Sequence, residues 1–208
     1  MAMLVTDPYT EERLKAEREA SGADRYDEVW DGVYLMTPLP NNEHQRIVLR
    51  LSQILQTTLG PDVAANIFAG VNVSDREVDW VHNYRAPDVA AYLPNTEAKD
   101  CDTHWCGGAD FAVEIVSPGD HSREKLDFYA KVGTRELLIV DRDPWKLELY
   151  RLQGGQLRLI SETSVTSTHS IESLVVPLSF GLLPGETRPR IEVHASVKAV
   201  CGDNRWLI

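Results

Sequence analysis

The chain has 208 residues, with 21 Lys and Arg against 32 Asp and Glu, a formal charge of −11. This length fits one domain, or one domain with a tail, and 43% hydrophobic with 25% charged residues is a globular composition that excludes disorder. No apolar run reaches the roughly 18 residues of a spanning helix, and an acidic chain is ill suited to tight non-specific nucleic-acid binding, which needs clustered Lys and Arg. A local basic groove stays open to it. Residues 1–14 carry no basic n-region and turn acidic at once, so no signal peptide is expected and the expected location is cytoplasmic. Three cysteines (Cys101, Cys106 and Cys201), an odd number, predict reduced thiols instead of a disulfide framework.

In chain order, a charged stretch from Thr10 to about Ala20 predicts a short surface helix capped by Thr10 and ended by Ser21-Gly22. Asp31-Gly32 between Tyr26–Trp30 and Val33–Met36 predicts a hairpin. Asn41 to Leu59 has the clearest helical period: Ile47, Val48, Leu51, Ile54, Leu55 and Leu59 share one arc, Arg46, Arg50, Gln53 and Thr57 the other. Gly60-Pro61 is its stop. Strands are predicted at about 64–68, 86–92, 111–116, 136–140 and 146–151, with weaker runs at 157–160 and 173–178. A second helix at about 122–132, between two of these strands, predicts a parallel crossover beside antiparallel hairpins. The class is α/β with a mixed sheet, or α+β by a stricter definition. Residues 184–190 look like a linker, and 191–208 like an added strand with a loose end.

Three polar residues stand where burial is expected. Glu114 interrupts Phe-Ala-Val-Glu-Ile-Val, otherwise a fully buried strand, where a lone carboxylate costs several kcal/mol unless paired or metal-bound. Asp88 follows Pro87 at the start of another apolar run. Lys125 lies near the centre of the apolar arc of its helix, with Leu126, Phe128, Tyr129 and Val132, while Lys131 faces away. The simplest resolution is that the Lys125 ammonium meets the carboxylates of Asp88 and Glu114. His44 is a fourth exception, on the apolar arc of the first long helix, and could reach the same cluster. Each residue has a plainer reading: a structural ion pair, a turn cap, a satisfied core histidine. The joint occurrence favours chemistry, since two carboxylates with open positions suit Mg²⁺ and a neighbouring lysine suits phosphoryl transfer.

These residues, in this order, resemble the PD-(D/E)XK nuclease superfamily, and within it the Uma family. The resemblance rests on Tyr26-Asp-Glu-Val-Trp-Asp-Gly32, Met36-Thr-Pro38, His44, Arg85-Ala-Pro-Asp-Val89, Val113-Glu-Ile-Val-Ser-Pro118, Lys125 with Tyr129, and Glu136-Leu-Leu-Ile-Val-Asp141. It covers about residues 10–183, taken as the domain, with 184–208 as linker and tail. It implies a restriction-endonuclease-like core, a mixed sheet flanked by helices, and Mg²⁺-dependent hydrolysis of DNA phosphodiesters, with Mn²⁺ as a possible substitute. Asp88 and Glu114 would be metal ligands, helped by the backbone carbonyl of Ile115. Lys125 would orient or deprotonate the attacking water and stabilise charge on the phosphorane. Tyr129 would support Lys125 or touch phosphate, and His44 and Glu28 would complete the site as outer ligands or base partners. One departure stands out. The superfamily lysine lies two residues after the acid, here Val116, and the resemblance implies its relocation to Lys125 on the following helix.

Cutting both strands of a duplex predicts a homodimer. Two other functions are carried: a catalytically inactive nuclease-fold protein used in binding or assembly, favoured by the acidic charge, and a phosphodiesterase or RNase. Cys101-Asp-Thr-His104-Trp-Cys106 has too few ligands for a structural zinc site unless Cys201 or His194 joins it.

Overall fold

The computed structural model describes residues 3–4, 7–61, 66–117, 121–167, 169–196 and 204–208. Strand β1 (Met3–Leu4) is followed by helix α1 (Pro8–Ser21). The side chain that caps α1 is Asp7, accepting from the Thr10 amide at 2.8 Å. Thr10 is therefore the donor in this cap and not the expected N-cap. A proline can open the helix because the N–H it lacks would have no intrahelical partner, and Gly22 ends it in the left-handed conformation. The predicted hairpin is present as β2 (Glu28–Trp30) and β3 (Val33–Met36). Its turn residues Asp31 and Gly32 both have positive φ, 48° and 86°, the geometry that Asp-Gly permits and a right-twisted hairpin demands.

Helix α2 (Asn42–Leu59) matches the predicted period, with Ile47, Leu51, Ile54 and Leu55 buried. Short strands follow: β4 (Ile67–Phe68), β5 (Val73–Ser74), β6 (Tyr84–Arg85), β7 (Val89–Ala91), β8 (Lys99–Asp100) and β9 (Trp105–Cys106). Positions 64 and 65 of one predicted strand lie outside the described residues. The run predicted as one strand at 86–92 is split, because β6 and β7 join different sheets on either side of Ala86-Pro87-Asp88. Strand β10 (Phe111–Ile115) then leads, past a 3₁₀ turn at Ser122–Lys125, into α3 (Leu126–Lys131). The long antiparallel strands are β11 (Glu136–Arg142), β12 (Trp145–Gln153) and β13 (Gln156–Ser164), followed by β14 (Ile171–Glu172), β15 (Leu178–Leu183), β16 (Arg190–Ala195) and β17 (Arg205–Leu207).

Among the described residues these strands form three sheets. The central one has the order β13-β12-β11-β10-β7-β4, and the others are β1-β3-β2-β6-β5-β9-β8 and β14-β15-β16-β17. The predicted crossover is present: β10 and β11 are parallel, with α3 between them, and all other pairs in that sheet are antiparallel. Side chains alternate across β10. Val113 and Ile115 share a core with α2 and with Phe180, Ile191 and Val193. Ala112 lies on the opposite face, in a second core with Phe128 and Tyr129 of α3. The mixed sheet is thus flanked by helices.

The strand expected within 191–208 is present as β16, and a second strand, β17, stands where a loose end was expected. In the described part of this stretch β16 pairs with β15 and β17 with β16. Ile191, Val193 and Ile208 are buried in the same core as α2. Alternating apolar residues in Ile191-Glu-Val-His account for this, since one face of β16 needs cover.

Candidate active site

Glu114 sits in the middle of the central sheet, its backbone fixed by pairing with β11 opposite Ile139. It is buried, and the alternation along β10 turns its carboxylate to the face covered by α3. The β7–β10 ladder runs to Val89 opposite Val113. Asp88, the residue just before it, carries the second carboxylate. Its Oδ2 accepts the Ile115 amide at 2.7 Å, so a side chain completes the ladder where Pro87 has interrupted the strand. Asp88 Oδ1 lies 2.7 Å from His44 Nε2, and His44 Nδ1 lies 3.3 Å from Ser117 Oγ. His44 is in the first turn of α2, where Asn41 caps its amide at 2.9 Å.

Lys125 closes the 3₁₀ turn and is 9% exposed, as its place on the apolar arc required. Its Nζ donates to Glu28 Oε1 at 2.8 Å and to Glu114 Oε1 and Oε2 at 3.0 and 3.1 Å. The predicted partner pair was Asp88 and Glu114; the structure replaces Asp88 by Glu28. The reason is that the β2 hairpin brings Glu28 over the site, where Oε1 also takes the Ala86 amide at 2.9 Å and Oε2 the Trp30 indole N–H at 2.7 Å. Tyr129 donates its hydroxyl to Glu114 Oε1 at 2.5 Å. Burial, reinforced by the charges on Glu114 and Glu28, holds this phenol well above its ordinary pKa, so it stays a donor.

Glu28, His44, Asp88, Glu114, Ile115 and Lys125 all line one cavity of about 310 Å³. Among the described residues three carboxylates here face one ammonium, and that imbalance governs the electrostatics. Burial pushes the Glu114 carboxyl up to about 8; Lys125 and the Tyr129 hydrogen bond oppose this, and the charges of Asp88 and Glu28 add to it. Among the described residues, no three His, Cys, Asp or Glu side chains form a ready metal cage. A hard cation that keeps its waters does not need one: it takes one or two carboxylates. Glu114 Oε1 is filled by Lys125 and Tyr129, but Glu114 Oε2 and both oxygens of Asp88 each have a second lone pair to offer beyond the bonds described. The donor set and its surplus of negative charge therefore fit a divalent cation between Asp88 and Glu114.

The residue-by-residue resemblance left out the group beside this cluster. Arg85, two residues before Pro87, is 4% exposed. Its guanidinium lies over the rings of Trp30 and Phe128, at 4.4 and 4.3 Å from their centroids. The signal was present in Arg85-Ala-Pro-Asp, but an arginine in a two-residue strand gives no periodicity by which to place it inside. Elsewhere, Cys101 and Cys106 are free thiols. His104 spends both ring nitrogens on Thr103 Oγ1 and the Arg76 carbonyl, at 3.2 and 3.0 Å, which leaves it no lone pair for zinc. Cys201 lies outside the described residues.

A family described as Uma2, putative restriction endonuclease, matches residues 11–183. The chain belongs to this family. Among solved structures, it is similar to the crystal structure of a putative nuclease belonging to DUF820 from Anabaena variabilis, with a TM-score of 0.51 and 17% identity over 64% of this chain and 75% of that one. At that identity the likeness establishes the fold, a mixed α+β nuclease fold. No curated protein matches. The Uma2 match ends at Leu183, so β16 and β17 lie beyond it. Among the described residues no helix is long and apolar enough to cross a membrane.

Proposed function

We propose that this Uma2 protein is a divalent-metal-dependent endonuclease that hydrolyses DNA phosphodiesters. The observation that carries the proposal is the convergence of Glu28, Asp88, Glu114 and Lys125, from four separate chain segments, on one cavity. Asp88 and Glu114, with the Ile115 carbonyl, would hold Mg²⁺ or Mn²⁺; when bound, the ion supplies charge for the scissile phosphate and lowers the pKa of water.

The remaining chemistry belongs to the chain. Lys125, at 2.8–3.1 Å from two carboxylates, is placed to exchange one of them for a non-bridging phosphate oxygen and stabilise the charge that builds there. Glu28 keeps that ammonium in place, itself fixed by Trp30 and the Ala86 amide. Tyr129 and Lys125 together fix Oε1 of Glu114, and Oε2 meets Lys125 alone. His44 and the Ile115 amide each take one oxygen of Asp88, so this carboxylate cannot rotate away. Two such sites related by two-fold symmetry would cut both strands, and we propose a homodimer on that ground; sedimentation of the purified chain checks it.

The test is cleavage of supercoiled plasmid with 5–10 mM Mg²⁺ or Mn²⁺, on the order of the weak affinities of all-oxygen sites. Wild-type protein is expected to nick and linearise it, and Asp88→Ala, Glu114→Gln and Lys125→Ala each to lose at least about a hundredfold in rate, as expected for an electrostatic group at the reacting centre. Circular dichroism verifies that each variant is folded. Cleavage that survives Lys125→Ala overturns the assignment. A wild-type protein that neither cuts plasmid nor binds metal by calorimetry identifies instead a nuclease fold used for binding, the function that a charge of −11 favours.

A further inference from the structure

A second, larger cavity of about 710 Å³ adjoins the candidate site, and Trp30, Leu35 and His121 line both. Arg85 and Asn83 also line it, and they are the most deeply buried charged and amide side chains there, at 4% and 1% exposure. Among the described residues Arg85 makes no ion pair. Every hydrogen bond it forms comes from Nη1, to the Val29 and Tyr84 carbonyls and Asn83 Oδ1, at 2.8–3.2 Å. Among the described residues its Nε is buried without a partner, as is Asn83 Nδ2, and no hydrogen bond comes from Nη2. A folded protein rarely leaves buried donors unpaired, so two of them beside one cavity call for an explanation. The rings of Trp30 and Phe128, with centroids 4.4 and 4.3 Å from the guanidinium carbon, hold this group in place, so its Nε–Nη2 edge is a fork of fixed position.

That fork demands an acceptor pair. A bare phosphate is one, but Asp31, Glu124 and Asp127 line the same cavity with exposed carboxylates. The other cation there, Lys131, is already committed to Asp75 at 2.6 Å, and His121 Nδ1 lies 2.8 Å from Glu124 Oε1. The combination of an unspent donor edge, aromatic and aliphatic walls and peripheral acceptors suits an uncharged heterocycle with acceptors on one edge and N–H groups on another. We propose that this cavity takes up a nucleobase of the substrate strand, read through its acceptor edge by Arg85 and Asn83, with guanine the best fit. Guanine offers N7 and O6 to an arginine fork, the commonest specific contact to a base, and keeps ring and amino N–H groups for the carboxylates. Arg85 lies too deep to meet a base edge in an intact duplex, so the base enters unstacked, as it does in enzymes that extrude a nucleotide. The proposal rests on the nuclease reading and deepens it: this is the specificity pocket of the same site. Trp30 joins the two, with one ring face toward Arg85 and its indole N–H on Glu28, which holds Lys125.

The experiment is calorimetric titration of the full chain, without metal, with 2′-deoxyguanosine, the other three deoxynucleosides and inorganic phosphate. Deoxyguanosine is expected to bind at least about tenfold more tightly than the others, the discrimination one bidentate pair supplies, and phosphate not to compete. Arg85→Lys keeps the charge, loses the fork, and is expected to abolish the preference. Asn83→Asp keeps the acceptor used by Arg85 and the Asp31 amide and gives Arg85 a counter-ion; it too is expected to abolish it, and it decides the matter if Arg85→Lys does not fold. Equal binding of all four nucleosides, no binding of deoxyguanosine, binding of phosphate alone, or a preference that survives both substitutions overturns the inference. The plasmid assay separates the two readings: cleavage without nucleoside preference removes this pocket only, whereas nucleoside preference without metal-dependent cleavage removes the nuclease chemistry and leaves the pocket.

Discussion

Glu114 and Glu136 stand on neighbouring strands and are equally hidden from solvent, yet their surroundings differ in kind. Glu136 has one guanidinium to itself: Arg151 Nε donates to Oε1 at 2.7 Å, the Leu174 amide to the same oxygen at 3.1 Å, and Ser173 Oγ to Oε2 at 2.5 Å. Asp27 is similar, gripped by Arg18 through two bonds of 2.6 Å and by the Thr37 amide at 2.7 Å. In both, one anion meets one cation, and the hydrogen bonds join separate segments of the fold. Glu114 shares its single ammonium with Glu28, and Asp88 lies close enough to push its pKa up. A buried ion pair alone is weak evidence for function. A buried cluster with more anions than cations is stronger, because it is paid for in stability and leaves room for a missing positive charge.

The sharpest break of this contrast comes from removing each acid. Glu136→Ala leaves Arg151 beside an empty interior and is expected to cost about 3–5 kcal/mol in urea denaturation. Glu114→Gln relieves repulsion and is expected to leave stability unchanged or higher while cleavage is lost. Equal destabilisation by the two would make the Glu114 cluster structural as well.

Next in size is the response to metal. Ten millimolar Mg²⁺ is expected to stabilise the wild type by about 1–3 kcal/mol in thermal melts, if its dissociation constant is one to two orders lower. Asp88→Ala should lose this gain and Glu136→Ala should keep it.

A further effect lies in pH. The Glu114 carboxyl titrates near 4.5 when unfolded and is held up to about 8 when folded, so between these values the native state binds the extra proton. Its contribution is complete below about 4.5 and is lost as pH rises through about 8. Melting temperature without metal is expected to fall over that window, and Glu114→Gln to flatten the slope. A slope that is unchanged in this variant assigns the titration elsewhere. The smallest effect belongs to Asn41, whose replacement by alanine removes the cap on the His44 amide and should cost about 1 kcal/mol.

What the sequence made legible were violations of pattern. Glu114, Lys125 and His44 each interrupt an apolar face, and a break in a regular period shows without any tertiary knowledge. Glu28 does not interrupt anything, since a three-residue strand has no period to break, and only the family resemblance pointed to it. Arg85 was hidden for a related reason: its aromatic neighbours Trp30 and Phe128 lie 55 and 43 positions away, and nothing local says that an arginine will be stacked between them. The split of 86–92 into two sheets escaped because an apolar run shows that a strand is buried but not which neighbours it has. Residues 191–208 carried the alternation of a strand, but too little chain remained to show what it would cover.

The division of that run between two sheets has a mechanical consequence. The short path from Tyr84 to Ala91 leaves one sheet, passes through Pro87 and Asp88, and enters the other. Any slippage between the sheets must therefore displace the Asp88 carboxylate, and displacement of a reacting group by an ångström is enough to slow an enzyme a hundredfold or so. Turnover should register a loosened seam well before the melting temperature does.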